Sequence, residues 1–146
     1  MKHYIARILV LPMTLGFLGA SCVPSAPTTP QVPPVPITHP SLRNLNVTTN
    51  QELTLPFVLT GEARGTWYFE ASFPVRLEDL NGNLLQQTYA MAQGEWMTED
   101  FVPFQSQVLN PENLSVKQGV LVIEKDNPSG LPQYADEVRV PVRFAL

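Results

Sequence analysis

The chain has 146 residues, with 9 basic and 13 acidic side chains and a net charge of −4. This length is suited to one domain of ordinary size once the ends of the chain are set aside. The acidic balance argues against a nucleic-acid-binding protein, because such proteins present clustered lysine and arginine.

Residues 1–21 have the features of a secretory signal peptide. Lys2 and Arg7 precede an uncharged, mostly apolar run that continues to Ser21. As a helix this run would reach only ~21 Å, which is short of a ~30 Å hydrocarbon core, and Pro12 further weakens a membrane span. We therefore expect cleavage, which leaves seven basic and thirteen acidic residues in the mature chain.

Cys22 is the only cysteine, so an intramolecular disulfide is excluded. The sequence LGASC that ends at this residue resembles the bacterial lipobox, in which small residues precede a cysteine that is lipidated and becomes the mature N-terminus. Gly19 departs from the pattern, which has leucine there, and cleavage after Ala20 by ordinary signal peptidase is the competing interpretation. At ~0.8 kcal/mol per buried CH₂, acyl chains such as palmitate on Cys22 would give stable membrane anchoring.

Residues 22–40 form a predicted tether that begins at the lipidated cysteine. Val23 to Pro40 contains seven prolines, and His39 is its only titratable side chain. Proline fixes φ and favours extended geometry in the residue before it, so a polyproline-like spacer of ~55 Å is expected, at ~3.1 Å per residue. A proline-rich recognition ligand is the alternative, and His39 is expected to be solvated.

Residues 41–146 read as one all-β domain. Every odd position from 69 to 77 is apolar, which predicts a strand with one face in the core; these residues are Phe69, Ala71, Phe73, Val75 and Leu77. Asn81-Gly82 then predicts a tight hairpin turn, because glycine and asparagine accept positive φ.

The same alternation recurs along the domain. Further strands are predicted at 43–49, 53–61, 84–91, 99–108, 119–125 and 137–145. The strand at 119–125 contains the continuous apolar run Val120 to Ile123, which is typical of a buried central strand. Pro74 and Pro141 must face outward at an edge or mark a bulge. About seven short strands separated by turns predict an antiparallel two-sheet sandwich.

Four blocks of this region carry a family resemblance. They are PFVLTGEARGTWYFEASFPVRLEDLNGNLL, GEWMTEDFVPF, GVLVIEKDNPSGLP and the closing VRVPVRF. Together they resemble the immunoglobulin-like domain of bacterial spore germination, over most of residues 42–146. The resemblance implies an immunoglobulin-like sandwich in the cell envelope. It implies neither a role in spore germination nor any catalytic residue, because the family offers none to transfer.

The predicted domain contains neither cysteine nor histidine. This excludes Ser-His-Asp and Cys-His catalysis there, together with zinc sites built on thiolate or imidazole. We therefore expect no catalytic residue, no metal site and no cofactor.

Two carboxylates invite a functional interpretation. Glu70 is interpreted as an outward-facing residue, with Arg64 and Arg76 as ion-pair partners, in preference to a catalytic acid. Asp79 begins the segment DLNGN, which lacks the spacing of an EF-hand and is interpreted as a hairpin turn. A calcium site that uses loop carbonyls is the alternative for Asp79.

Trp67, Trp96, Pro128 and Tyr134 form a possible binding surface. Both tryptophans lie near acidic residues at loop–strand junctions, where large aromatics usually cap a core but can also anchor a peptide or glycan. Pro128 and Tyr134 belong to the long segment KDNPSGLPQYADE. Loops at the ends of sandwiches commonly bind ligands, although such a loop can also simply close the domain.

The sequence as a whole predicts a lipid-anchored, non-catalytic module of the bacterial cell envelope that binds a protein or glycan through loops or an edge strand. Val23 after Cys22 favours the outer membrane where the cell has two membranes, and secretion is expected if lipidation fails. One alternative is a carboxylate-dependent cell-wall glycan hydrolase, marked by two acids ~5–10 Å apart in a deep groove. The other is a purely structural spacer or assembly component.

Overall fold

The computed structural model describes residues 33–108, 111–112 and 114–145. The predicted signal peptide, the lipidation site at Cys22 and the first part of the predicted tether lie outside these residues. None of the helical segments within the described ranges is long and apolar enough to cross a membrane.

The regular structure of the described residues consists of eight β-strands and two 3₁₀ turns. The strands are Leu42–Arg43 (β1), Gln51–Leu53 (β2), Phe57–Arg64 (β3), Ser72–Glu78 (β4), Leu84–Ala92 (β5), Phe101–Val108 (β6), Gln118–Glu124 (β7) and Glu137–Phe144 (β8). The turns are Gly65–Trp67 and Pro132–Tyr134. The predicted all-β class is confirmed, with eight strands in place of about seven.

The strands follow the order β1-β3-β6-β5-β4-β7-β8-β2. The sets β1-β3-β6-β5 and β4-β7-β8 correspond to the ABED and CFG sheets of an immunoglobulin sandwich, which confirms the predicted fold. β5 pairs with β4 along its length but with β6 only at Met91 and Ala92, so the two layers are joined in one curled sheet. Neighbouring strands are antiparallel except β2 and β8, which run parallel.

The core is filled by alternating side chains, as the strand pattern predicts. In β4, Phe73, Val75 and Leu77 are at most 1% exposed. Phe73 meets Phe104 of β6 edge-on, with ring centroids 5.0 Å apart, and so connects the two layers. Complete burial of one such side chain contributes ~1.5–3 kcal/mol.

β7 is the central strand that the apolar run at 120–123 predicts. It pairs with β4 on one side and with β8 on the other. Val122 is fully buried although it lies on the outer face, in register with Arg76 and Arg139. The long arginine side chains flank Val122 on this face, while Val120 and Glu124 on either side of it are half-buried.

The first predicted strand, at 43–49, is wrong beyond Arg43. Asn44 has a positive φ of 55°, which ends the extended conformation. The side-chain amide of Asn46 then forms hydrogen bonds with the backbone at the edge of β3, where a paired strand would otherwise do so. Its Nδ2 donates to the Val58 carbonyl at 2.8 Å, and its Oδ1 accepts from the Thr60 N–H at 2.9 Å.

The two prolines within strands lie where a neighbouring ladder stops. Pro141 is exposed on β8, immediately before the pairing with β2 begins at Val142. Pro74 belongs to β4, a central strand, but the ladder between β4 and β7 ends at Val75. Proline lacks the N–H that a ladder uses, so both positions accept it without loss of a strand hydrogen bond.

Part of the predicted tether packs on the domain. The Val35 N–H donates to Thr49 Oγ1 at 3.0 Å, and the Thr49 N–H donates back to the Val35 carbonyl at 3.1 Å. His39 meets Trp67 edge-on, with ring centroids 5.3 Å apart, and its Nε2 lies 3.4 Å from the Asp136 carboxylate. The expectation that His39 is solvated is wrong, because packing on Trp67 leaves only 16% of its side chain exposed.

Gly65 is required by close packing at the end of β3. Its N–H donates to the Asp100 carbonyl at 2.9 Å, and a Cβ at this position would lie 1.9 Å from the Thr98 carbonyl oxygen. Because that obstacle is backbone, we expect Gly65→Ala to lower the free energy of unfolding by about 3 kcal/mol. Gly94→Ala is the matched control, since a Cβ there meets no described atom within 4 Å, and it should change stability by less than ~1 kcal/mol. Urea denaturation measures both, and equal stability of the two variants would contradict this packing.

Candidate functional site

Two connections meet at one end of the sandwich, residues 65–71 between β3 and β4 and residues 125–136 between β7 and β8. The Asp126 N–H donates to the Trp67 carbonyl at 3.0 Å and so joins them. In the immunoglobulin scheme these are the B–C and F–G connections, which lie at the end that variable domains use for binding. The framework therefore presents two loops side by side.

Trp67 anchors the first of these loops from inside the core. It ends the 3₁₀ turn Gly65–Trp67 and is 1% exposed. Its ring packs edge-on against Phe73, with centroids 5.9 Å apart. This corrects the assignment of Trp67 to a binding surface, because its side chain is enclosed by the core. Trp96 is partly buried and packs against the same core, and it does not line the pocket between the two loops that is described below.

A sharp turn at residues 69–72 places Phe69 and Glu70 at the surface. The Phe69 N–H donates to the Ser72 carbonyl at 2.9 Å, and the Ser72 N–H donates to the Phe69 carbonyl at 3.1 Å. Glu70 and Ala71 have positive φ values of 50° and 64°, as in a type I′ turn. The prediction that Phe69 and Ala71 line the core is wrong, because β4 begins only at Ser72 and Phe69 is 44% exposed.

Glu70 has neither of the ion pairs that the sequence suggested. Arg64 donates through Nη1 to the Glu99 carbonyl at 3.1 Å. Arg76 is occupied by carboxylates on β4, β7 and β8. Glu70 itself is exposed and forms no ion pair with another described residue. Within the described part of the chain, its charge at the loop end therefore has no ion-pair partner.

An open pocket of about 250 Å³ lies between the two loops. Phe69 and Tyr134 line it with rings that are 44% and 54% exposed, and Asp126 and Pro128 line it from the second loop. We call these four residues, together with Glu70, the loop patch. Pro128 and Tyr134 are the two residues of the predicted binding surface that the structure brings together here. The contributions of Phe69 and Asp126 depend on the fold and were not recognised from the sequence.

Hydrogen bonds within the second loop fix its shape. Asn127 Nδ2 donates to the Leu131 carbonyl at 2.9 Å, and Ser129 Oγ donates to Asn127 Oδ1 at 2.6 Å. Gly130 has a φ of 64°, which its turn requires and glycine adopts readily. The 3₁₀ turn Pro132–Tyr134 comes next and carries the tyrosine ring. A loop held by its own hydrogen bonds has less conformational entropy to lose if it binds a ligand.

A comparison with protein families agrees with this architecture. Residues 46–130, more than half of the chain, match the family model of the immunoglobulin-like domain of bacterial spore germination. The chain belongs to this family. The resemblance drawn from the four sequence blocks is thereby confirmed, although the fourth block lies beyond the matched residues. Neither the curated proteins nor the solved structures contain a match.

Within this spore-germination immunoglobulin-like domain, the loop patch carries two negative charges without a counterion among the described residues. The pKa of the Asp126 carboxyl is raised above its ordinary value, mainly by partial burial and to a smaller extent by the negative charge of Glu70. Lys125 also lines the pocket, but it forms no ion pair with either carboxylate. The patch therefore holds like charges close together.

The outer face of β4, β7 and β8 shows the opposite arrangement. Glu78 accepts hydrogen bonds from Arg76 at 3.0 Å and from Arg139 at 2.5 Å, and only 7% of it is exposed. Burial alone would raise the pKa of Glu78, but the hydrogen bonds from Arg139 and Arg76 hold it below its ordinary value. Glu124 pairs with Arg76, and Glu137 pairs with both arginines. These acids stabilise the fold and are not free to bind a ligand.

Asp79 is a turn residue, as the sequence predicts. Its carboxylate accepts from the backbone N–H groups of Asn81 and Asn83, both at 2.8 Å, and from the Asn83 side-chain amide at 2.7 Å. The bonds from Asn83, more than those from Asn81, lower the pKa of Asp79. Gly82 has a φ of 83°, which completes the hairpin. Across the described ranges, no group of three or more His, Cys, Asp or Glu residues is placed to hold a metal ion.

Asp126→Asn tests the electrostatics of the loop patch. Because the pKa of Asp126 is raised in the folded protein, the folded chain binds a proton at this carboxyl more tightly than the unfolded chain does. The stabilising contribution of the protonated Asp126 carboxyl is present below the ordinary pKa of about 3.8 and is lost as pH rises through the raised pKa. At pH 7 the charge therefore destabilises the fold, and we expect Asp126→Asn to increase the free energy of unfolding by roughly 0.5 kcal/mol after allowance for solvent screening.

Urea denaturation at neutral pH and at a pH below the ordinary value measures this effect. The gain should be present at neutral pH and absent in acid. Glu52→Gln on β2 is the matched control, because it removes one negative charge from an exposed residue outside the loop patch. A loss of stability in Asp126→Asn at neutral pH would show that its carboxylate has a stabilising partner.

Proposed function

We propose that this protein is a lipid-anchored, non-catalytic module of the bacterial cell envelope that binds a partner through the loop patch. The observation that carries the proposal is the joint exposure of Phe69 and Tyr134 on loops at one end of the sandwich, beside two carboxylates that form no ion pair with another described residue. Exposed aromatic side chains dominate many binding surfaces, because they bury a large area at a small entropy cost.

In this proposal the anchor is the lipid on Cys22, which would hold the chain at the outer membrane where the cell has two membranes. The mature chain is acidic, so its surface would not itself attract anionic lipid. Because part of residues 33–40 packs on the domain, the spacer would be residues 23–32, which reach ~31 Å when extended at ~3.1 Å per residue.

The terminal strands of the sheet are less suitable for binding than the loops. β1 has two residues and β2 has three, and strand addition needs a longer row of free backbone groups. The side chain of Asn46 also occupies the edge of β3. β5 offers a longer edge, since its described pairing with β6 begins only at Met91, and cross-linking of variants on β5 distinguishes that edge from the patch.

A carboxylate-dependent glycan hydrolase is the second candidate function. The observation that favours it is the raised pKa of Asp126 beside Glu70, since an acid with a raised pKa next to a second carboxylate is the pattern of a general acid. The pocket, at about 250 Å³ and open to solvent, argues for binding, because sites that enclose a substrate are usually ~300–1,000 Å³. Release of sugars from purified cell wall by the unmodified protein, but not by Asp126→Asn, would establish the hydrolase.

Cross-linking of the tagged full chain in its own envelope tests the binding function. We expect Phe69→Ala combined with Tyr134→Ala to lower the yield of cross-linked partner at least ~10-fold, because both rings are exposed anchors. The matched control is Leu84→Ala combined with Tyr89→Ala on β5, two side chains that are 55% and 51% exposed. Loss of the partner only in the β5 variant would place the interface on that edge, and no loss in either variant would favour a structural spacer.

Cys22→Ala tests the anchor. We expect this variant to leave the membrane fraction and to lose incorporation of labelled palmitate, because the acyl chains supply the membrane affinity. Ser21→Ala is the matched control, since it keeps a small residue before the cysteine. Membrane retention of Cys22→Ala would contradict lipid anchoring, and capture of the same partners by both forms would show that the anchor does not bring them together.

A further inference from the structure

The loop patch combines exposed rings with negative charge that no described residue neutralises. Glu70 comes directly after Phe69 in the turn, and its charge reaches Asp126 in the pocket. Tyr134 lines the same pocket. The ligand group that suits such a surface best is a cation that can stack on an aromatic ring. It can then interact with the ring and with the carboxylates at the same time.

We propose that the loop patch binds an arginine or lysine side chain presented by a partner protein. This inference rests on the proposed function, since it names the chemistry of the partner at the same surface. The cationic group would lie against the ring of Phe69 or Tyr134 and donate hydrogen bonds to Asp126 and Glu70. Arginine is the better fit, because its planar guanidinium can stack on a ring while its edge donates to a carboxylate.

The described residues include one example of an arginine held by both an aromatic ring and a carboxylate. The guanidinium groups of Arg43 and Arg64 lie 4.0 and 4.1 Å from the ring centroid of Phe101. Arg43 also donates through Nε to Glu62 Oε2 at 2.5 Å. An aromatic ring and a carboxylate of this chain thus already hold an arginine together. In the loop patch the rings and the carboxylates are present, and the arginine would come from the partner.

Other ligand classes fit the patch less well. An anionic group would meet the two carboxylates of Asp126 and Glu70 against the single positive charge of Lys125. A neutral glycan could stack on the rings, but it would leave a partly buried carboxylate without a counterion. Calcium takes six or more oxygen ligands, whereas the patch offers two carboxylates beside rings and no described cluster of three acids. The volume of about 250 Å³ has room for one long side chain.

An NMR titration of the full chain in detergent tests the inference. The probe is the acetylated peptide Ser-Leu-Arg-Leu-Ser, and its twin carries citrulline, which keeps the shape of arginine but has no charge. We expect the arginine peptide to shift the amide signals of Phe69, Asp126 and Tyr134 and to bind at least ~10-fold more tightly than the twin. Added salt should reduce the difference, because the carboxylates are partly exposed.

Variants separate charge from packing in this titration. We expect Asp126→Asn and Glu70→Gln each to weaken binding of the arginine peptide ~3–10-fold without changing that of the citrulline peptide. Glu52→Gln, with the same change in net charge, should bind both peptides as the unmodified chain does. Equal binding of the two peptides, shifts confined to other surfaces, or larger shifts of the same amides with calcium chloride alone would overturn the inference.

The two proposals fail in distinguishable ways. If the Phe69 and Tyr134 double variant loses its cross-linked partner while arginine and citrulline peptides bind equally, the patch is an interface and the inference about charge is wrong. If cross-linking does not depend on the patch, the proposed function itself is wrong, whatever the peptides do.

Discussion

The ring of Phe73 makes the contacts on which the packing of both layers and of the loop end depends. Its ring meets those of Trp67, Tyr68 and Phe104, with centroid distances of 5.9, 5.0 and 5.0 Å, all in edge-on geometry. Each such pair adds ~0.5–1.5 kcal/mol beyond the area it buries. His39 extends the chain of rings outward through Trp67. One residue of β4 therefore connects the β6 layer, the first loop and the end of the tether, and a change in its position would reach all three.

This core explains why the loop patch has its form. Trp67 and Tyr68 both turn inward to reach Phe73, and the Tyr68 hydroxyl also donates to the Val102 carbonyl at 2.8 Å. The chain must then reverse before β4 begins at Ser72, and it does so with only Glu70 and Ala71 between the paired residues. The third aromatic of the run, Phe69, is left outside. The same packing that secures the domain thus presents a ring and a carboxylate at the surface.

Local periodicity predicts what local interactions determine. The alternation correctly placed Phe73, Val75 and Leu77 inside, and Asn81-Gly82 correctly marked a hairpin, because each signal lies within a few residues of its effect. The pattern failed at Phe69 because the turn after it uses glutamate and alanine at positive φ, where glycine or asparagine would have signalled it. Partners that are distant in the sequence could not be predicted from local patterns either. Arg139, for example, donates to Glu78, which is 61 residues away in sequence. The pairing of Asp126 with the first loop required the topology for the same reason.

The arrangement of the tether also bears on how such a module would work. The segment that enters the domain contacts Thr49 through Val35. The next residue, Asn50, donates its N–H to the Pro141 carbonyl in the middle of β8. The segment reaches the loop end only at His39. The chain therefore enters midway along β8 and travels toward the loops, so the point of entry is separated from the loop patch by half a strand. In the proposed anchored module, this separation would keep the loops clear of the attached segment. The outer face of β4, β7 and β8 has no such freedom for new contacts, since each of its carboxylates is engaged by an arginine. The carboxylates at the loop end form no ion pair among the described residues, whereas those on the sheet are paired with arginine, and this contrast supports the proposal of recognition through the loops.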